Sequence, residues 1–88
     1  MSDEESPLQF PCEFPVKAMG AADEAFKETV WALVTGHAPE TSSTSFAVTP
    51  SSRGNYISVT ITITATSREQ LDAIYADLRD EPSVLAVL

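Results

Sequence analysis

The residues best equipped for chemistry gather in one short stretch, Ser51, Ser52, Arg53, Gly54 and Asn55. Two hydroxyls, a guanidinium and the backbone N–H groups of a tight turn can surround a small anion. The same composition serves a hydrophilic hairpin turn, in which Gly54 and Asn55 take positive φ at little cost. His37, the sole histidine, falls at the end of a helical pattern, where the helix dipole favours an imidazolium, so its position predicts a capping role. Cys12, the sole cysteine, has no second thiol for a soft metal or an internal disulfide and is expected to be a small packed side chain. No paired carboxylates, glycine-rich phosphate loop or metal-spaced ligands occur, so neither a metal nor a cofactor is predicted.

A second candidate is a surface. Along "YISVTITITA", Ile57, Val59, Ile61 and Ile63 occupy one parity, while Ser58, Thr60, Thr62 and Thr64 occupy the other. Successive side chains of a strand point to opposite faces, which gives this segment one oily face and one hydroxyl face. The oily face must be buried. The hydroxyl face is either solvated surface, for which threonine's β-branched preference for strands is reason enough, or a recognition surface. Lys17, by parity on a neighbouring strand, and Tyr56 at one end would extend it.

The elements that must carry these residues follow from periodicity. "EFPVKAMG" alternates from Glu13 to Gly20 and predicts a first strand ending at that glycine, although Pro15 cannot donate to a ladder. Ala22, Phe26, Val30, Leu33 and Val34 then recur at helical spacing, with Asp23 and Glu24 at the start and Gly36 and Pro39 as stops. Trp31 falls on the flank of that stripe. The hydroxyls of Thr41 to Thr44 make a loop, and "SFAVTP" a short second strand closed by Pro50. After the long third strand, Ser67 and Gln70 have capping-box spacing ahead of a stripe of Leu71, Ile74, Tyr75 and Leu78. "SVLAVL" supplies the last strand.

The order β-α-β-β-α-β predicts an α+β, ferredoxin-like two-layer sandwich: a four-stranded antiparallel sheet, strands one and three central, with both helices on one face. Residues 8–88 form the single domain, preceded by a flexible acidic tail at 1–7, and Leu8 and Phe10 are expected to tuck back onto the domain. Eighty-eight residues bury one modest core and leave no room for a deep enclosed site. Five basic against thirteen acidic residues give a net charge of −8, which repels phosphate backbones, and the open face offers no aromatic platform beyond Tyr56. Nucleic acid is therefore not an expected partner. With no secretion-type leader and only short apolar runs, the expected setting is the cytoplasm, away from any membrane.

The segments "FPVKAMG", "HAP" and above all "PSSRGNYISVTITITA" resemble the YbeD-like family of small bacterial proteins, over about Leu8 to Leu88. That resemblance implies a fold similar to ACT regulatory domains, a link to lipoate metabolism through neighbouring genes, and no established activity. By analogy with ACT domains, Gly20 maps onto their ligand loop. The leading expectation is a non-enzymatic regulatory or interaction module that binds a small metabolite or a protein partner. Its rival is a small enzyme acting on an anionic substrate through Arg53 and His37, and an RNA-binding module ranks below both. The unpaired backbone of the edge strands predicts a weak homodimer.

Overall fold

The computed structural model describes residues 9–88, so the predicted tail at 1–7 and the docking of Leu8 lie outside the described residues. The period-two alternation of the long strand produces β3 (Tyr56–Ala65), in which Ile57, Val59, Ile61, Ile63 and Ala65 are buried. Ser58, Thr60 and Thr62 are half-buried on the opposite side, and Thr64 is exposed. β3 pairs antiparallel with β1 (Cys12–Ala21) along its whole length and with β2 (Phe46–Pro50) over the shorter strand. β4 (Val84–Val87) completes the sheet on the far side of β1, in the order β2-β3-β1-β4. Strands one and three are central, as ferredoxin-like topology requires.

Both helices cover the even-numbered face of β1 and the odd-numbered face of β3. α1 (Glu24–His37) buries Phe26, Val30 and Val34, and α2 (Arg68–Asp80) buries Leu71, Ile74 and Leu78, in one cluster with Val16, Ala18 and the isoleucines of β3. Asp23 caps α1 by accepting from the Phe26 N–H at 2.7 Å. Ser67 caps α2 by accepting from the Gln70 N–H at 3.0 Å. The Gln70 carboxamide returns to the Thr66 N–H at 2.7 Å, one residue upstream of the donor used in the usual capping box. Phe10 and Cys12 pack half-buried against the core margin.

Several boundaries differ from the sequence expectations. β1 does not end at Gly20 but runs to Ala21, with Gly20 buried opposite Ile57. A Cβ on Gly20 would overlap the ring of Phe26, so this glycine lets an aromatic ring lie directly on the strand backbone. Ala22 is exposed and precedes the helix, so the buried stripe starts at Phe26. Ser45 belongs to a 3-10 turn, Ser43–Ser45, that leads into β2. Of the two turn residues Gly54 takes positive φ, at 78°, and Asn55 does not.

Pro15 sits inside a central strand without breaking it. The Lys17 carbonyl accepts from Leu88 N–H at 3.0 Å, so odd-numbered residues of β1 direct their main-chain groups toward the β4 side. β4 pairs with β1 only at Ala18, Met19 and Gly20. The missing N–H of Pro15 therefore points where no strand needs it.

Candidate functional site

Among the described residues, no element covers the face of the sheet away from the helices. Lys17 lies opposite Thr60 and Met19 opposite Ser58 across β1 and β3, while Ala47 and Thr49 of β2 continue the same two rows. Pro15 and Glu13 face Thr62 and Thr64 at one end, and Tyr56, 45% exposed, closes the other. The result is a surface rich in hydroxyls, with Lys17 as its base. Hydroxyls both donate and accept, so such a surface can match a polar partner without a fixed charge pattern.

Ser51 to Asn55 form the exposed hairpin tip between β2 and β3. Ser51 is committed to the turn: its carbonyl accepts from Gly54 N–H at 3.0 Å, and its hydroxyl accepts from Tyr56 N–H at 3.3 Å. The Asn55 carbonyl accepts from Ala22 N–H at 3.2 Å, which ties the tip to the β1–α1 connection. Two candidates named on separate grounds, the Ser51–Asn55 turn and Gly20, thus lie at one end of the sheet. Gly20 itself is turned into the core beneath Phe26.

His37 lies at the other end. At about 3.3 Å per residue, the run of β3 from Tyr56 to Thr64 separates the two ends by roughly 25 Å. Arg53 and His37 are therefore not brought together on one small substrate. His37 ends α1, and its Nε2 is 2.6 Å from the Asp77 carboxylate on α2. The Gln70 amide donates to the His37 carbonyl at 2.8 Å while its oxygen holds Thr66, so one side chain joins the end of α1 to the start of α2. Neither tie is visible in local spacing, because the partners are 40 and 33 residues apart.

Beside this junction lies a cleft of about 500 Å³, lined by Glu13, His37, Thr62, Thr64, Thr66 and Gln70 together with the loop residues from Ala38 to Ser42 and Ser45. Sequence reasoning named Thr62 and His37 but not their shared cleft. The one signal for it was the S-x-x-Q spacing that singled out Gln70. Among the described residues, no group of three or more His, Cys, Asp or Glu could hold a metal ion, and no helix is long and apolar enough to cross a membrane. Tyr75, edge-on to Phe14 with ring centroids 6.3 Å apart, has its pKa raised because burial penalises the phenolate.

Fold and surface together define a ferredoxin-like α+β domain with a helix-covered face and an open polar face. A family model described as a protein of unknown function (DUF493) matches residues 5–88. A UPF0250 protein of Nitrosomonas europaea is 44% identical over 97% of this chain and 98% of its own length. One from Chromobacterium violaceum is 44% identical over the full length of both chains, and one from Janthinobacterium is 45% identical over 96% of this chain. The chain belongs to the DUF493 family, in agreement with its YbeD-like resemblance.

Proposed function

We propose that this protein is a cytoplasmic, non-enzymatic interaction module that binds a protein partner across the open face of its sheet. The observation that carries the reading is the pair of rows formed by Ala47, Thr60 and Lys17 and by Thr49, Ser58 and Met19, a hydroxyl-bearing surface that runs across β2, β3 and β1. A surface spread over three strands suits a macromolecule better than a small ligand, which needs concavity. The link to lipoate metabolism implied by the YbeD-like resemblance makes lipoate-attachment enzymes the first partners to test.

Capture from a cytoplasmic extract on immobilised protein, repeated with Lys17→Glu and with the Thr60→Val, Thr62→Val pair, tests the assignment. Valine keeps the shape of threonine and deletes its hydroxyl, leaving a paired group on the partner unsatisfied at about 1 to 3 kcal/mol each. A partner that is lost with these variants supports the open face. Equal recovery with all of them removes it.

A second reading has one specific observation behind it. The cleft of about 500 Å³ is within the size range of small-molecule sites. Binding of a small polar metabolite there, in the regulatory manner of ACT domains, would raise the melting temperature, and Thr64→Val with Gln70→Ala would abolish the rise.

A further inference from the structure

The β2 edge presents an incomplete hydrogen-bond ladder beside an apolar groove. Ser51 N–H donates to the Tyr56 carbonyl at 2.8 Å, and Phe46 N–H is taken by the Ser43 carbonyl. In an antiparallel ladder main-chain groups alternate in direction, so Ala47 and Thr49 bond to β3 while Phe46, Val48 and Pro50 turn outward. The outward groups are the carbonyls of all three residues and the N–H of Val48; Pro50 has none to offer. Val48 is 36% exposed.

On the helix side of this edge, Trp31 and Phe46 meet edge-to-face with centroids 5.8 Å apart. They line a groove of about 260 Å³ with Ser43, Glu24, Lys27 and Glu28. Lys27 is neutralised by Glu24 at 2.9 Å, and Glu28 has no ion pair among the described residues. The groove is thus apolar at its floor and acidic at its rim, in a chain of net charge −8.

A second copy fits this edge poorly. Two-fold pairing centred on Val48 would set each Phe46 carbonyl against a Pro50 that has no N–H, and would join two strongly acidic molecules. A strand with an N–H at every position satisfies all the outward carbonyls. Its side chains opposite Phe46 and Val48 lie on the helix side and reach the groove.

We propose that the β2 edge binds an extended segment of a partner protein by strand addition, with an aliphatic or aromatic side chain in the Trp31–Phe46 groove and a lysine or arginine at the Glu28 rim. This mode obtains affinity from main-chain bonds and specificity from alternate side chains. It goes beyond the open face and stands whether or not that face binds.

A random seven-residue peptide library, displayed on phage and selected on the full chain, tests the edge. Selected sequences are expected to combine a large apolar residue with Lys or Arg at the same parity. Binding of the synthesised peptides should fall at least about tenfold with Val48→Pro, which deletes the outward N–H at an edge position where proline is tolerated. A similar loss is expected with Glu28→Lys and with Trp31→Ala, and no loss with the Thr60→Val, Thr62→Val pair. Should Val48→Pro not fold, N-methylation scanned along the peptide replaces it, with alternate positions abolishing binding. Selection of no apolar-basic motif, or binding that ignores both the proline and the N-methyl scan, overturns the proposal. Loss confined to the threonine variants moves the peptide to the open face, overturning the edge while sparing the open-face reading. A dimer in sedimentation that Val48→Pro dissolves also overturns it, in favour of a second copy.

Discussion

At Gly20 the space that a side chain would fill is taken by the Phe26 ring, which rests on the backbone of β1. Gly20→Ala therefore forces the ring or the strand to shift and should destabilise the fold by about 1 to 3 kcal/mol in denaturant titration. Phe26→Leu in the same background should recover part of that loss, because two changes in contact do not add independently. Tyr75 makes a prediction in pH. Burial raises its pKa above the ordinary value of 10.0, so the folded state favours the neutral phenol. The stability that this contributes is fully present below the ordinary value and lost as pH rises through the folded one. Alkaline melting curves should show that decline, and Tyr75→Phe should flatten it. A Tyr75→Phe protein with an unchanged alkaline slope would exclude the phenol as its source.

Among the elements, β3 sets the geometry of everything else, since its two neighbours are β1 and β2 and its buried residues meet both helices. Ile61 is fully buried at its centre, and Ile61→Ala should cost about 2 to 5 kcal/mol. Thr62→Val, one position along and on the open face, should change stability little. The contrast tests register, because a slip of one residue would exchange the two outcomes. The edges differ in exposure as well as length. β4 pairs with only three residues of β1 and has a register shift between Met19 and Gly20, an irregularity that blunts an edge. β2 keeps a regular register with β3 from Phe46 to Pro50, and its outward groups are the more usable template.

For the whole molecule, a charge of −8 on a domain of this size is a source of self-repulsion in the compact state. Raising the salt concentration from low to physiological or above should raise the melting temperature by a few degrees, on the order of what a Debye length shrinking to about 8 Å would relieve. A melting temperature that falls or stays flat would mean that the acids are compensated locally. How much of this molecule the sequence determined follows from the range of each interaction. Alternation in Tyr56–Ala65, the helical stripes, the Ser67 cap and the stops near Gly36 and Pro50 act within a few residues, so the element order and the buried face of β3 could be read directly. The extent of β1 past Gly20 could not, because it depends on the pairing of Ala21 with Tyr56 of β3. Nor could the His37–Asp77 and Gln70–His37 ties, the Trp31–Phe46 groove or the cleft beside Thr62. Each requires the rotation of a helix about its axis and its offset along the sheet, quantities set by how Phe26, Val30, Leu71 and Ile74 pack against β3. Local periodicity says which side of an element is buried, and only the packed core decides which residues from distant elements then stand side by side.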